Sequence, residues 1–264
     1  MIVAFVFILG LFIGSFLNVV IYRLHREESF VKGFSKCLFC GHRLYPKDLV
    51  PIFSFLWLKA KCRYCKTAIS WQYFLVELAT ALGFVLVFLR LFASTDLQTW
   101  LGALTVLSSL QLLFWWLMFC FLLIIFVYDL KYYLILDKVS IPAIFLALAL
   151  NLFLGHTWQS LALGILIGGG FFLLQFILSQ GKWIGGGDIR VGILMGAALG
   201  FSHVLAALFL AYILGGIFAT FLLIFGKKHL GDKLPFGTFL TLATFVILLY
   251  GDVLIRWYLT LWGI

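Results

Sequence analysis

Long apolar segments separated by short polar gaps make up most of the chain. A run of about 20 apolar residues can cross a bilayer as a helix. Eight segments qualify, although the sixth and seventh are nearly continuous, and only Gly200, Ser202 and His203 indicate a boundary between them. The spans cover approximately residues 2–22, 72–92, 101–128, 139–155, 158–179, 189–203, 204–226 and 236–262. The pattern predicts an all-α polytopic membrane protein with about eight transmembrane helices.

The composition supports this class of protein. Hydrophobic residues make up 64% of the 264 positions and charged residues only 11%. A soluble globular domain is usually about half apolar, with about a quarter of its residues charged. The same values exclude an intrinsically disordered chain, which needs low hydrophobicity. Most of the apolar surface is therefore expected to face lipid or neighbouring helices.

Basic residues are concentrated in the polar gaps between the spans. Ten of the 19 Lys and Arg residues lie between Arg23 and Lys66, and seven more lie in the gaps at 129–138, 180–190 and 226–234. An even number of predicted spans separates successive gaps, so all four basic segments share one face. The positive-inside rule makes that face cytoplasmic. Because no repeated aromatic platform accompanies the basic residues, we expect membrane lipid and no nucleic acid as their partner.

The first span is expected to be a retained helix with its N-terminus outside. It lacks the basic segment that opens a signal peptide, and a basic loop follows it. Gly10 and Gly14 have the GxxxG spacing that lets helices pack closely. Ser15 and Asn18 follow on a nearby face. Two interpretations of these polar residues stand, namely a polar clasp within a helix interface and direct participation in a site.

Four cysteines lie in the loop after the first span. Cys37 and Cys40 form one C-x2-C pair, and Cys62 and Cys65 form a second. Four thiolates from two such pairs suit tetrahedral Zn(II). Two disulfides are the alternative, but the charge pattern places the loop in the reducing cytosol. Since the loop has little apolar core, the zinc is predicted to be structural. Cys120, within a span, is interpreted as a small apolar residue.

Acidic residues are scarce, and three of the ten lie at the ends of spans. Asp129 ends the third span, Asp137 opens the fourth and Asp188 opens the sixth. Ionisable groups at membrane depth are costly and usually functional. Capping of a helix N-terminus also explains Asp137 and Asp188. It does not explain Asp129, because the helix dipole disfavours a carboxylate at a C-terminus. Solvation, or pairing with Lys131, is the alternative for Asp129.

Two carboxylates held close together can share a proton and hydrolyse a peptide. One activates water while the other protonates the leaving group. We expect Asp129 and Asp188 to form such a pair at the cytoplasmic face. Their positions at opposite helix ends favour Asp188 as the base and Asp129 as the acid, although such a pair titrates as a unit.

Glycine is frequent around Asp188. The three glycines at 185–187 precede it, and they permit a sharp turn and close approach of the backbone to a neighbour or a substrate. Gly192, Gly196 and Gly200 continue at a spacing of four. This spacing predicts tight packing of the helix against another.

In their order, these residues resemble the type IV prepilin peptidases, bifunctional leader peptidase and N-methyltransferase enzymes of the GxGD aspartic class. The segment Gly14–Arg23 is similar to the family's opening signature, and the four-cysteine loop follows it. Asp129 matches the first catalytic aspartate, and residues 185–188 match the GxGD motif. Residues 235–240 resemble a late P-F-G-x-F-L motif. The resemblance runs nearly end to end.

The resemblance implies two activities. The first is removal of a short basic leader from type IV prepilin or pseudopilin precursors at the cytoplasmic face of the bacterial inner membrane, with the two aspartates as catalytic residues. The second is methylation of the new N-terminal amine, with S-adenosylmethionine as donor. Three domains follow: a first transmembrane helix at 1–22, a cytoplasmic zinc loop associated with methyl transfer at 23–71, and the transmembrane peptidase core at 72–264.

Three residues are expected near the methyl donor. Lys61 and Arg63 can meet acidic groups of the cofactor, or lipid headgroups. By resemblance Glu77 has a conformational or methyl-transfer role, while a paired carboxylate within a span is the alternative. The sequence departs from the family pattern at Ala60, where the family has Gly, and at Arg190, where it has Lys. If the family's Gly permits close approach to the methyl donor, Ala60 would weaken methylation. A peptidase without methyltransferase activity is therefore an alternative.

Two other functions compete with the enzyme. A transporter that relays protons through aspartates would place acidic residues in mid-span, whereas here they cluster at one face. A non-catalytic assembly scaffold with a zinc site would tolerate replacement of Asp129 and Asp188.

Overall fold

The computed structural model describes residues 1–92, 106–226, 229 and 233–261. Within them the regular structure is helical, apart from two isolated β-bridges. The eight α-helices of the described residues are α1 (Ile2–His25), α2 (Phe53–Trp57), α3 (Trp71–Phe92), α4 (Val106–Tyr132), α5 (Asp137–Phe153), α6 (Trp158–Ser179), α7 (Gly186–Ile224) and α8 (Phe236–Leu261). The all-α prediction is confirmed.

Six of these helices are long and apolar enough to cross a membrane. Among the described residues they are α1, α3, α4, α6, α7 and α8. Helix α5 has only 17 residues. Helix α7 has 39 residues, which is about twice the length that one crossing needs. The predicted positions 101–105 and 262 lie outside the described residues.

Helix α7 is broken at Gly200. This residue has φ 70 and ψ −175, so its backbone is not helical, and α7 consists of two helical segments. Glycine tolerates positive φ because it has no Cβ atom. A break in the helix therefore falls at the first of the three residues that indicated a boundary between the sixth and seventh predicted spans, while two separate crossings stay a prediction.

Polar side chains from two other helices satisfy backbone groups at this break. Asn151 of α5 is 2% exposed, and its Nδ2 donates to the carbonyl oxygens of Ala197 and Ala198 at 2.8 and 3.0 Å. The Phe201 N–H donates to Ser160 Oγ of α6 at 3.2 Å. Backbone groups freed by a break in a helix need such partners, because each N–H and C=O is a strong hydrogen-bonding group.

The chain forms two compact units, Met1–Ala103 and Leu104–Ile264. In the first unit, α1 packs on α3. A Cβ atom at Gly10 would lie 2.6 Å from Ala81 Cα, and one at Gly14 would lie 2.7 Å from Glu77 Cα. The predicted close packing through GxxxG is therefore confirmed. By its contacts α3 lies in this first unit, and the functional division at 1–22, 23–71 and 72–264 stays a prediction.

In the second unit, α6 and α7 make the closest contact. Gly164 and Gly168 of α6 face Gly196 and Gly192 of α7, and a Cβ atom at Gly168 or at Gly196 would overlap the backbone of the facing helix. The predicted tight packing is thus confirmed. Helix α7 also packs on α5 and α8, while α4 packs on α5 and α8. The predicted catalytic residues lie near the C-terminus of α4 and in the first turn of α7, and Gly187 of α7 and Gly237 of α8 both approach Ile135, which follows α4.

Replacing Gly168 by Ala should destabilise the protein, because the added methyl group would overlap the Gly192 carbonyl oxygen. We expect a loss of about 1–3 kcal/mol in the free energy of unfolding, the usual cost of overpacking. Gly170→Ala is the matched control on the same helix, since a Cβ atom there meets nothing within 4 Å among the described residues. Thermal unfolding in detergent compares the two variants, and equal stabilities would contradict this packing.

Candidate active site and metal site

Asp129 lies near the C-terminus of α4 and is 5% exposed. Its Oδ2 accepts a hydrogen bond from the backbone N–H of Thr238 at 2.9 Å. Thr238 belongs to the first turn of α8. A Cβ atom at Gly237 would lie 2.9 Å from the same oxygen, so the close approach requires glycine there. The C-terminus of its own helix disfavours this carboxylate, but the N-terminus of a neighbouring helix, which attracts anions, supports it.

Asp188 lies in the first turn of α7 and is partly buried. The helix is preceded by Gly185, and the Asp188 carboxylate accepts the Gly185 N–H at 3.2 Å. The expectation that Asp188 occupies the N-cap position is therefore wrong, because the helix begins two residues earlier. Asp188 instead supplies the return hydrogen bond of a capping box, which a carboxylate at the third helical position makes.

The structure brings the two aspartates to the same region around Ile135. A Cβ atom at Gly187 would lie 2.8 Å from Ile135 Cβ, and one at Gly237 would lie 2.9 Å from Ile135 Cδ1. Gly187 precedes Asp188 in the chain, and Gly237 contacts Asp129. Two carboxyl groups so placed can share a proton.

Only one of the three glycines before Asp188 is required by tight packing. Gly187 meets Ile135, whereas a Cβ atom at Gly186 meets nothing within 4 Å among the described residues, and one at Gly185 lies 3.8 Å from Asp188 Oδ2. The close approach predicted for the triplet is thus confined to its third member.

Asp137 forms an ion pair with Arg190. The Arg190 Nη1 lies 2.5 Å from Asp137 Oδ1, and both side chains are partly exposed. Helix α5 begins at Asp137, and no side-chain hydrogen bond caps it. The capping interpretation of Asp137 is therefore wrong. Arg190, where the family has Lys, neutralises this third carboxylate two residues after Asp188.

Sequence reasoning missed a polar pair beside this site. The Gln175 amide and the Tyr212 hydroxyl exchange hydrogen bonds at 3.0 and 3.1 Å. The Tyr212 ring lies 5.0 Å from the ring of Phe236, the residue before Gly237. A Gln within an apolar span was the available signal, since polar residues at membrane depth are commonly functional.

The four loop cysteines form one cluster. Their Sγ atoms all lie within 4.8 Å of one another, and Cys37 Sγ lies 3.8 Å from Cys65 Sγ. Tetrahedral zinc with Zn–S bonds of about 2.3 Å places sulfurs about 3.8 Å apart, whereas a disulfide needs about 2 Å. All of them are free thiols. The cluster is consistent with a zinc site and not with two disulfides.

Both cysteine pairs fold in the same way. In each, the N–H of the first cysteine donates to a carbonyl oxygen five residues later, and a β-bridge closes the turn. The hydrogen bonds are Cys37 to His42 at 2.9 Å and Cys62 to Thr67 at 2.8 Å, and the bridges join Lys36 to Arg43 and Lys61 to Ala68. Each turn therefore presents its own two thiols on one side, and it does so through its own hydrogen bonds.

Asp48 links the two turns, and sequence reasoning missed it. Its carboxylate accepts from Arg63 Nε at 2.6 Å, from the Tyr64 hydroxyl at 3.0 Å and from the Tyr45 N–H at 3.2 Å. Desolvation opposes ionisation, but the Arg63 guanidinium and the other donors hold the pKa of Asp48 below its usual value. The Asp48 carboxylate thus neutralises the positive charge of Arg63, which was expected to meet acidic groups of a cofactor.

A cavity of about 980 Å³ lies within the first unit, between α1, α3 and the cysteine loop. Its lining is mostly apolar and includes Phe12 and Phe16. Of the three residues predicted near the methyl donor, Arg63 and Glu77 line the cavity. Lys61 is exposed and belongs to the β-bridge of the second turn.

Glu77 holds a strained turn in the wall of this cavity. Its Oε2 accepts the Ile52 N–H at 2.7 Å. Ile52 has φ 62 and ψ −51, and the Phe53 N–H donates to the Pro51 carbonyl oxygen at 2.6 Å, which defines a γ-turn. A β-branched residue at positive φ is rare and costs about 1–3 kcal/mol. The structure thus gives Glu77 a contact that fixes backbone, in line with a conformational role.

These features define a helical protein with six candidate membrane spans, two aspartates at neighbouring helix ends and a four-cysteine cluster consistent with zinc. The sequence profile described as the bacterial Peptidase A24 N-terminal domain matches residues 8–91, and that of the type IV leader peptidase family matches residues 116–220. The chain belongs to the type IV leader peptidase family, so the resemblance is confirmed.

Curated relatives match over almost the whole chain. The prepilin leader peptidase/N-methyltransferase of Aeromonas salmonicida is 32% identical, covering 97% of this chain and 93% of its own. Those of Bacillus subtilis and Pseudomonas aeruginosa are each 30% identical, covering 96% and 97% of this chain and 96% and 93% of their own. No solved structure matches the chain significantly.

Replacing Cys62 by Ser should remove the metal, because Cys62 is 4% exposed and contributes one of four clustered thiols. We expect about one zinc per chain in the wild type and close to none in the variant, measured by elemental analysis after purification without chelator. Cys120→Ala is the matched control, since Cys120 lies in α4 outside the cluster. Equal zinc contents in all three proteins would contradict a four-cysteine site.

Proposed function

We propose that this protein cleaves the leader from type IV prepilin-like precursors and then methylates the new N-terminus. The names of its relatives state both activities for those proteins. The observation that carries the proposal for this chain is that Gly187, which precedes Asp188, and Gly237, which contacts Asp129, both lie against Ile135.

The two aspartates are the proposed catalytic residues of the peptidase. One activates a water molecule for attack on the scissile carbonyl, and the other protonates the leaving amine. Asp188 is partly exposed and Asp129 is buried, so water has readier access to Asp188, which supports its role as the base. The hydrogen bond from Thr238 fixes the orientation of the Asp129 carboxylate. The pair titrates as a unit.

We propose eight membrane crossings for the chain. The six long helices would provide five single crossings and, through the break at Gly200, two more from α7. Helix α5 would provide the eighth. The basic gaps then share the cytoplasmic face by the positive-inside rule. A precursor with a basic leader and one apolar helix would present its cleavage point at that interface, where Asp129 and Asp188 would meet it.

The first unit is the proposed location of methyl transfer. Four cysteine thiols would hold a structural zinc ion that fixes the loop at the cavity wall. The cavity, at about 980 Å³, is large enough for a cofactor, since ligand sites of this kind usually measure about 300–1,000 Å³. S-adenosylmethionine would supply the methyl group. Carboxylates and apolar side chains in the lining suit its cationic sulfonium and its apolar parts.

The residue at position 60 supports retention of methyl transfer. Ala60 has φ 56, in the left-handed region where glycine is favoured. The chain therefore keeps the backbone conformation that a glycine would adopt there, at a cost of about 1–2 kcal/mol. The alternative, a peptidase that has lost methylation, predicts cleavage without any gain of a methyl group.

Replacing either catalytic aspartate by Asn should abolish leader cleavage. Asn keeps the shape of the side chain but neither shares a proton nor activates water, so we expect a loss of at least about 100-fold in rate for Asp129→Asn and for Asp188→Asn. Asp252→Asn is the control, because Asp252 pairs with His203. Mass spectrometry of a prepilin incubated with each reconstituted variant measures the cleaved fraction. Cleavage at the wild-type rate by either aspartate variant would refute this assignment.

Glu77 variants separate a backbone role from a charge role in methyl transfer. Gln at position 77 keeps an oxygen that accepts the Ile52 N–H, whereas Ala leaves this donor without its partner. We expect Glu77→Gln to retain most methylation and Glu77→Ala to lose about 10-fold or more, because a buried donor without a partner is costly. Both should cleave the leader normally. Methyl gain and leader loss are read from one spectrum, and equal methylation by the two variants would exclude the backbone role.

A further inference from the structure

Two polar atoms in the first unit are buried without a partner. Among the described residues, Asn18 Oδ1 and Tyr22 Oη are the buried side-chain oxygens or nitrogens that lack a hydrogen bond. Asn18 is 1% exposed. A buried polar atom without a partner costs free energy, so most proteins satisfy nearly all of them. An unsatisfied one therefore indicates a partner that is missing from the isolated chain.

The orientation of the Asn18 amide is fixed by its neighbour. Its Nδ2 donates to the Tyr73 carbonyl oxygen of α3 at 3.0 Å. A carbonyl oxygen only accepts, so the nitrogen must face Tyr73 and Oδ1 must face away. The missing partner of Asn18 is consequently a hydrogen-bond donor.

Both atoms belong to the wall of the same cavity. Asn18 and Tyr22 line it, one helical turn apart on α1, together with Ser15 and Glu77. Glu77 adds a carboxylate to this wall and Ser15 a hydroxyl that interacts with it. A ligand group that donates hydrogen bonds fits these acceptors best.

We propose that Asn18 and Tyr22 bind the primary amine of a ligand in this cavity. Asn18 Oδ1 accepts one N–H of the amine, and the Tyr22 hydroxyl makes a second hydrogen bond. The proposal rests on the proposed methyl transfer, because that reaction has two amine-bearing ligands: the new N-terminus of the cleaved peptide and the amino-acid part of the methyl donor. Of the two interpretations of Asn18, the proposal favours direct participation in a site. The hydrogen bond from Asn18 to α3 then serves to orient its amide.

Binding measurements on the full-length protein in detergent test the proposal without requiring turnover. In the first arm, a peptide with the mature pilin N-terminus is compared with its des-amino twin, in which a hydrogen atom replaces the amine. In the second arm, S-adenosylhomocysteine is compared with methylthioadenosine, which lacks the amino-acid part. We expect the wild type to prefer the amine-bearing partner by about 10-fold in at least one arm, a typical value for a buried hydrogen bond to a charged group.

Asn18→Ala should remove most of that preference, and Tyr22→Phe should reduce it about threefold, since it deletes only the hydroxyl. Thr80→Val is the matched control at the same helix interface, because Thr80 is fully buried and its hydroxyl bonds to Val76 of its own helix. It should leave the preference unchanged. Tyr22→Phe keeps the ring that packs near Arg26, so it tests the proposal even where Asn18→Ala fails to fold.

Each outcome is decisive. A preference lost in the peptide arm identifies the cleaved N-terminus as the ligand, and one lost in the donor arm identifies the donor's amino group. A wild type without preference in both arms overturns the proposal, as does a preference that survives in both variants. Absence of methylation by a wild type that still binds amines through Asn18 would instead remove the methyl-transfer function and leave the amine site standing.

Discussion

Polar groups that are buried, or freed by a helix break, must find partners inside the protein, and this constraint recurs in both units of the described structure. Asn151 and Ser160 satisfy the backbone that Gly200 frees. Thr238 donates to the buried Asp129 carboxylate. Each of these groups would otherwise lack a hydrogen-bond partner, at a cost in free energy. Because the rule is obeyed so widely, the two oxygens in the first unit that break it point to a ligand.

Glycine contacts set the geometry on which the proposed chemistry depends. Gly187 and Gly237 lie against Ile135 without side chains of their own, and this allows the carboxylates near them to approach each other. Larger residues there would push the ends of α7 and α8 away from α4. The glycine contacts between α6 and α7 also keep α7 from moving away from α4, since packed interiors have few alternative arrangements. The packing of the helices therefore also determines where the two carboxylates lie.

The long apolar helices and the cysteine cluster could be predicted because each depends on local signals. An apolar run of sufficient length and two C-x2-C pairs are visible without a structure. The Thr238 donor could not be predicted, since it lies 109 residues from Asp129. The same holds for the Glu77 contact to Ile52, where a β-branched residue adopts a conformation that its sequence disfavours. Asp188 was expected at the N-cap but lies three positions further on, as the third residue of the helix, because helix starts are poorly marked.

The two proposed reactions need opposite environments, and the two units differ accordingly. Hydrolysis consumes water, and the partly exposed Asp188 lies where water can reach it. Methyl transfer to an amine is helped by exclusion of water, because a desolvated amine is the better nucleophile and the donor is then protected from hydrolysis. The cavity of the first unit, with its aromatic lining, suits that requirement. A single site could not meet both demands, so under the proposed function the new N-terminus must leave the carboxylate pair before it is methylated.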